Sequence, residues 1–251
     1  IKLCRAGAAP VGQDTGLAQI RELVRNGPIP DSDGPLGQVR DRDLLGEYAG
    51  FLRSLVDLSG IRPLRVVVDA GNGMGGHTVP AVLGTAAGLP ELPITVVPMY
   101  FELDGSFPNH EANPIEPENL VDLQERVRQS GADLGLAFDG DADRCFVVDE
   151  RGGIVSPSAI TALIAEQVLA QQPGATIIHN LITSRAVPQI VTELGGVPER
   201  TRVGHSYIKD TMARTGAAFG GEHSGHFYFR DFWRADSGML AAMTVLSVLG
   251  T

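Results

Sequence analysis

The sequence is poor in cysteine and in basic residues, and it has no long apolar run. Cys4 and Cys145 are far apart and form no C-x-x-C pair, which argues against a zinc site or a disulfide framework. The 20 basic residues are outnumbered by 30 acidic ones, which argues against nucleic acid as the main partner. The apolar runs are too short for a membrane helix, and no signal-peptide pattern is present. We therefore expect no membrane partner and a reducing, cytoplasmic location.

The chain instead alternates strand patterns, glycine-bearing loops and helix patterns. Leu64–Asp69 is a β-branched run that leads into a glycine loop and a small-residue helix predicted over 77–88. Repetition of this pattern predicts an α/β protein with two consecutive domains, each a mixed or parallel sheet with helices on both faces. The predicted boundaries are 1–42 for the tail of an upstream domain with its linker, then 43–152 and 153–251. Because the chain starts without methionine and ends inside an apolar helical pattern, we expect a piece of a longer protein.

Three carboxylates follow the predicted strand 134–138 in the stretch "DGDADR". Asp139, Asp141 and Asp143 would repel one another unless a cation lay between them. Oxygen ligands favour Mg²⁺ or Ca²⁺ over zinc. The stretch begins like an EF-hand loop, but Arg144 occupies the glycine position and a strand follows, so we reject that motif. A solvated acidic turn is the plainer alternative.

A second polar loop reads "GGEHSGH" and follows a short strand. Glu222, Ser224 and two histidines stand there between glycines. Such a loop can offer directional hydrogen bonds to a polyhydroxylated ligand while its backbone approaches closely. A flexible hairpin loop is the alternative.

A third motif, "VGHSYIK", joins a strand to a helix. It carries His205 and Lys209 near the predicted start of the helix. A helix N-terminus and a lysine both suit a phosphate. Taken alone, a capped helix start with a solvated lysine explains the motif better.

Together these motifs resemble the α-D-phosphohexomutase superfamily, in particular its bacterial phosphomannomutase/phosphoglucomutase branch. The resemblance runs in family order through "DAGNGMGG", "FPNHEANPIEPENL", "DGDADR", "VGHSYIKD" and "GEHSGH", from Asp41 to Leu249. It implies a four-domain enzyme of which this chain holds the end of domain 1 and domains 2 and 3. The family's phosphoserine loop, T-[AS]-S-H-N-P, does not occur in these 251 residues. We therefore expect the chain to be inactive by itself and to need the other domains of the same polypeptide.

The resemblance also implies a reaction and a metal. Hexose 6-phosphate and hexose 1-phosphate would interconvert through a hexose 1,6-bisphosphate and a phosphoserine enzyme. Asp139, Asp141 and Asp143 would bind one Mg²⁺, with an oxygen of the phosphoserine completing the site. Arg144 would lie beside that phosphoserine and stabilise it. Lys2 would match the family's active-site lysine.

The remaining implied roles concern the phosphorylated hexose. Glu222 and Ser224 would bind sugar hydroxyls, and His226 would assist proton transfer at the reacting hydroxyl. His205 and Lys209 would line the cleft from domain 3.

Two departures from the family pattern bear on specificity. Relatives often carry a basic residue near Ile182, where this chain is apolar with Arg185 just beyond. A phosphate contact from this segment is therefore not predicted. Phosphoglucosamine mutases of the superfamily tend to show "GEQSGH", so His223 favours a plain hexose over an amino sugar.

Three alternatives stay open. One is a phosphoglucosamine mutase of the same superfamily. Another is a haloacid-dehalogenase-type phosphatase, whose D-x-D-x-[TV] motif fits Asp139 and Asp141 but not Asp143. The third is a metal- or sugar-binding module without catalysis.

Overall fold

The computed structural model describes residues 3–6, 9–27, 34 and 37–251. The chain divides into two compact units, Ile1–Asp43 and Leu44–Thr251. In the first unit, strand β1 (Cys4–Arg5) pairs antiparallel with β2 (Ala9–Pro10), and helix α1 spans Leu17–Arg25. Lys2 lies outside the described residues, so its predicted role stays a prediction.

The second unit carries the strands and helices of two α/β sheets. The strands are β3 (Leu64–Asp69), β4 (Ile94–Met99), β5 (Leu134–Phe138), β6 (Cys145–Asp149), β7 (Ile154–Val155), β8 (Thr176–Asn180), β9 (Val197–Thr201), β10 (Phe219–Gly221), β11 (Phe227–Phe229) and β12 (Ala235–Asp236). The helices are α2 (Leu45–Leu55), α3 (Gly75–Val82), α4 (Val121–Ser130), α5 (Pro157–Gln171), α6 (Ala186–Glu193), α7 (His205–Thr215) and α8 (Gly238–Leu249).

The two sheets have the same topology. The first has the order β4-β3-β5-β6-β7 and the second the order β9-β8-β10-β11-β12. In each sheet the first three strands along the chain pair parallel with one another. The fourth strand pairs antiparallel with the third, and the fifth pairs antiparallel with the fourth. The predicted α/β class with two mixed sheets is confirmed. Each sheet also has one hairpin between its third and fourth strands, and these two hairpins carry "DGDADR" and "GEHSGH".

One hydrophobic cluster contains side chains of both sheets. It contains Leu136 and Phe138 of β5 together with Phe219 of β10, and Met243 of α8 packs into the same cluster. Burial of each such side chain contributes roughly 1.5–3 kcal/mol to stability. The two hairpins are therefore held by one packed interior, which limits their movement relative to each other.

Two serines begin the helices that flank this core. The side chain of Ser156 accepts a hydrogen bond from the backbone N–H of Ser158 at the start of α5, and Ser237 accepts one from Leu240 at the start of α8. Both are favourable N-cap residues because they satisfy helix N–H groups that lack an intrahelical partner. Among the described residues, no helix is both long enough and apolar enough to span a membrane.

Candidate active site

The stretch "DGDADR", residues 139–144, is called the acidic loop below. It lies at the carboxyl end of β5, where open α/β sheets place their ligands. Its turn is closed by a hydrogen bond of 3.1 Å from the Ala142 N–H to the Asp139 carbonyl oxygen, with Ala142 in the left-handed region at φ +61°. The turn brings one carboxylate oxygen each of Asp139, Asp141 and Asp143 within 4.8 Å of one another. The three predicted metal ligands are thus gathered at one point.

Arg144 is fixed against this cluster from two sides. Its Nε donates to Asp139 Oδ2 at 2.7 Å, and its backbone N–H donates to Asp139 Oδ1 at 3.1 Å. Its Nη1 donates to Asn113 Oδ1 at 2.9 Å, so the "FPNHEANP" loop orients the guanidinium. A carboxylate offers about four lone pairs, and Asp139 therefore keeps acceptor capacity for a cation.

The electrostatics of the acidic loop fit a hard cation. Burial raises the pKa of the Asp139 carboxyl above its usual range, and the charge of Asp143 adds to this, while Arg144 opposes both. A raised carboxyl pKa means that the ionised form is under-stabilised. A divalent cation with oxygen ligands would supply the missing positive charge. The donor set is therefore suited to Mg²⁺.

The stretch "GEHSGH", residues 221–226, is the predicted sugar-binding loop and is called the sugar loop below. Glu222 is its most constrained residue. Its Oε1 accepts hydrogen bonds from Asn180 Nδ2 at 3.0 Å and from the Gly204 N–H at 3.1 Å. Its Oε2 accepts one from the Tyr228 hydroxyl at 2.7 Å. Burial, followed by the charge of Glu222, raises the pKa of Tyr228, which keeps that hydroxyl a donor. Glu222 is only 2% exposed, and its contact with sugar hydroxyls stays a prediction.

The acidic loop and the sugar loop touch each other. An isolated antiparallel bridge joins Arg144 to His226, and the Cys145 N–H donates to the Gly225 carbonyl oxygen at 3.2 Å. Gly225 has φ +85°, and a Cβ there would collide with the ring of Phe146. Glycine is needed at this position because both the backbone conformation and the close approach exclude a side chain.

His226 lies between the two loops. Its Nδ1 is 2.8 Å from Ser224 Oγ, and its Nε2 is 3.5 Å from Asp143 Oδ1. The imidazole therefore links the predicted sugar loop to the predicted metal ligands. Asp236, which no motif indicated, joins Asp143 and His226 in a second group of ligand atoms within 4.8 Å of one another.

Of the two residues predicted from the motif "VGHSYIK", Lys209 contacts this cluster of residues. Lys209 Nζ lies 2.8 Å from Asp236 Oδ1, and the lysine side chain is 12% exposed. Its charge is therefore already balanced by a buried carboxylate. His205 is the first residue of α7 and is exposed. Ile182 is also exposed, as is Arg185.

The sequence analysis assigned no role to several polar groups that support the site, although some of them lie inside the quoted motifs. Asp69 ends β3 and pairs with His110 at 2.9 Å, while Asn113 and Asn180 hold Arg144 and Glu222. Asp69 and Asn180 share one signal that could have identified them. Each is a polar residue at the carboxyl end of a parallel strand, the edge where ligands bind in open α/β sheets.

The fold and the site together indicate the class of protein. The chain has two consecutive α/β/α domains, which bring a carboxylate loop and a polar glycine loop together. The family description "Phosphoglucomutase/phosphomannomutase, alpha/beta/alpha domain II" matches residues 47–153, and the corresponding domain III matches residues 156–251. The chain belongs to the phosphoglucomutase/phosphomannomutase family.

Individual relatives agree with this assignment. A phosphomannomutase of Escherichia coli is 41% identical over 99% of this chain and 55% of its own length. A crystal structure of a phosphoglucomutase/phosphomannomutase family protein from Burkholderia thailandensis aligns with a TM-score of 0.76 at 37% identity, over 83% of this chain and 44% of that one. The chain spans about half the length of the curated relatives it matches.

A more distant structure shares the fold. The N-acetylphosphoglucosamine mutase of Aspergillus fumigatus aligns with a TM-score of 0.58 at 14% identity, over 82% of this chain and 46% of that one. That structure is a complex with GlcNAc-6P and magnesium. Magnesium thus occurs in a protein of this fold.

Proposed function

We propose that this chain forms the metal- and sugar-binding half of a Mg²⁺-dependent phosphohexomutase. The whole protein would interconvert mannose (or glucose) 6-phosphate and 1-phosphate through the hexose 1,6-bisphosphate. The observation that carries the proposal is the bridge between Arg144 and His226, which joins the carboxylate loop to the sugar loop. A solvated acidic turn has no reason to be fastened to a second polar loop by a glycine-dependent contact.

Asp139, Asp141 and Asp143 are the residues that would hold the metal. When bound, Mg²⁺ would neutralise negative charge on the transferring phosphoryl group. Arg144 would face the same group. Its Nη2 has no partner among the described residues, whereas Nε and Nη1 are held by Asp139 and Asn113. The protein thus keeps one end of the guanidinium fixed and the other available for phosphoryl oxygens.

His226 and Ser224 would serve the sugar side of the reaction. The Nε2 of His226 lies beside Asp143, and its Nδ1 lies beside the Ser224 hydroxyl. An imidazole in this position can hold or move a proton at the reacting hydroxyl. Ser224 and Glu222 would bind ring hydroxyls, and a hydroxyl-reading site of this kind is compatible with either orientation of the sugar.

The remaining predicted residues have less structural support. His205, exposed at the start of α7, would line the cleft. Lys209 would contribute through its pair with Asp236, and Lys2 would act as the active-site lysine. The phosphoserine would come from outside these 251 residues, as would the domain that binds the substrate phosphate. A cytoplasmic location remains a prediction from cysteine usage.

The phosphatase alternative has weaker support. In that chemistry Asp139 would be the nucleophile. Here both oxygens of Asp139 accept hydrogen bonds from Arg144, and the residue is 4% exposed. A nucleophile needs an open approach to phosphorus, and this carboxylate is enclosed. The mutase assignment therefore fits Asp139 better.

The test is a hybrid enzyme. In it, this chain replaces the matching half of the E. coli phosphomannomutase. The serine-bearing and C-terminal parts of the hybrid are those of the E. coli protein. We expect Mg²⁺-dependent conversion of mannose 1-phosphate to mannose 6-phosphate. The same hybrid with Asp141→Asn is the matched control, since Asp141 is exposed and its replacement should not disturb folding.

The substrate panel separates the alternatives. Glucosamine phosphate turned over in preference to mannose phosphate would favour the phosphoglucosamine mutase. Release of inorganic phosphate with a hydroxylamine-labile phosphoenzyme would favour the phosphatase. A folded hybrid that turns over none of these sugars would contradict the proposal.

A further inference from the structure

His223 lies in the middle of the sugar loop and has no role in the proposed reaction. It is half-buried, and its Nδ1 lies 3.2 Å from Ser158 Oγ near the start of α5. Ser158 itself is buried, with 4% of its surface exposed. The contact therefore ties the centre of the loop to the helix scaffold of the second sheet.

The direction of this hydrogen bond follows from the other partner of Ser158. The backbone N–H of Ser184 donates to Ser158 Oγ at 3.1 Å. No other acceptor for the Ser158 hydroxyl hydrogen is present among the described residues. If His223 Nδ1 also donated, that hydrogen would be buried without a partner, and such groups are rare because their desolvation is not compensated. Ser158 therefore donates to Nδ1, and Nδ1 is the acceptor.

The tautomer of His223 follows directly. A neutral imidazole whose Nδ1 accepts carries its proton on Nε2. The Nε2 of His223 has no partner among the described residues, and it lies on the ring edge away from the buried serine. The loop thus presents a fixed, uncharged N–H donor between Glu222 and Ser224.

We infer that His223 is a further sugar-binding residue, whose Nε2–H donates to a hydroxyl oxygen of the bound hexose phosphate. This inference rests on the proposed function. A neutral donor suits a hydroxyl oxygen, whereas a dianionic phosphate is better matched by a cation. Ser158 and the Ser184 N–H are positioning groups, because they select the tautomer without touching the sugar.

The tautomer is tested first and does not depend on any activity. In the ¹⁵N-labelled chain, long-range ¹H–¹⁵N spectra distinguish a proton on Nε2 from one on Nδ1. We expect His223 in the Nε2–H form at a pH where the ring is neutral, and partial conversion to the Nδ1–H form in Ser158→Ala. A His223 ring protonated on Nδ1 in the unaltered chain would overturn the assignment.

Binding is tested second, by calorimetric titration of the hybrid enzyme described above, which carries this chain, with mannose 6-phosphate. His223→Leu removes the donor and should weaken binding about three- to tenfold, the range for one neutral hydrogen bond. His223→Gln can place an amide N–H near the same point and should recover part of the loss. His77→Leu is the matched control, since His77 is exposed on α3 and outside both loops.

A series of deoxy sugar phosphates identifies the hydroxyl. The sugar that lacks the recognised hydroxyl should bind equally tightly to the unaltered hybrid enzyme and to the hybrid with His223→Leu. If the unaltered hybrid enzyme binds no sugar phosphate, the proposed function fails and this inference fails with it. If the unaltered hybrid enzyme binds the sugar phosphate and the His223→Leu hybrid binds it as tightly, only the role of His223 is wrong. Thermal unfolding of each variant confirms that the comparison is between folded proteins.

Discussion

The pair formed by His110 and Asp69 should make the stability of the second unit fall at alkaline pH. His110 Nε2 lies 2.9 Å from Asp69 Oδ2, and its Nδ1 lies 2.9 Å from the Glu111 carbonyl oxygen. Both ring nitrogens therefore face acceptors, which favours the protonated ring. The hydrogen bond to Asp69 is the main cause that raises the pKa of His110 from 6.5 to about 9.

The sign and size of the effect follow from linkage. Because the folded-state pKa is above the unfolded one, the stabilisation is fully present below about pH 6.5 and is lost as the pH rises through about 9. Each pKa unit corresponds to about 1.4 kcal/mol. Solvent screens part of the interaction at the loop surface. We therefore expect the free energy of unfolding to fall by about 1–2 kcal/mol over this range.

The assay is urea unfolding of the chain at a series of pH values from about 6 to about 10. His110→Gln should remove this component of the pH dependence, because glutamine can keep a hydrogen bond to Asp69 but does not titrate. His77→Gln replaces an exposed histidine and should leave the pH dependence unchanged. If His110→Gln retains the full alkaline loss, or if stability rises between these pH values, the reasoning is wrong.

Three substitutions test contacts that stabilise the second unit, each by urea unfolding. Gly225→Ala should lower the free energy of unfolding by about 1–3 kcal/mol, because φ is +85° and the added methyl group meets the Phe146 ring. A neutral effect on stability would contradict the close approach of the two loops. Tyr228→Phe should cost about 1–3 kcal/mol, since it removes a donor from the buried Glu222 carboxylate; unchanged stability would show that this donor is dispensable. Arg53→Lys should lower the free energy of unfolding by about 1–2 kcal/mol, since the guanidinium donates to the carbonyl oxygens of Val82, Gly84 and Pro90. An equally stable lysine variant would show that the planar guanidinium is not needed.

Local patterns predicted the strands of the first sheet well. Leu64–Asp69 forms β3 with the predicted bounds because a β-branched run is buried in the centre of a sheet. The helix predicted over 77–88 spans Gly75–Val82 instead. Gly84 and Gly88 follow its end, and glycine is a poor helix former. Periodicity alone did not reveal this boundary.

The pairing of the two sheets could not be predicted from local patterns. No sequence repeat marks it, yet the acidic loop and the sugar loop occupy the same hairpin position in sheets of equal topology. Asp236 was missed for the same reason, since only its contacts with Lys209 and its proximity to Asp143 distinguish it from other aspartates. Such relations depend on long-range packing, which a single sequence does not display. The metal and sugar residues could be predicted from motifs, because the proposed chemistry requires particular residue types at particular spacings, and their roles stay predictions.

The central claim is that the acidic loop and the sugar loop form one metal-dependent site. A titration of the chain with Mg²⁺, followed through the imidazole NMR signals, tests it most directly. We expect the His226 signals to shift saturably, because Nε2 lies 3.5 Å from Asp143, while His77 does not respond. Asp141→Asn should weaken the response and Glu118→Gln, an exposed acidic residue elsewhere, should not. A His226 signal that ignores Mg²⁺, or a response that survives the loss of Asp141 unchanged, would contradict the account.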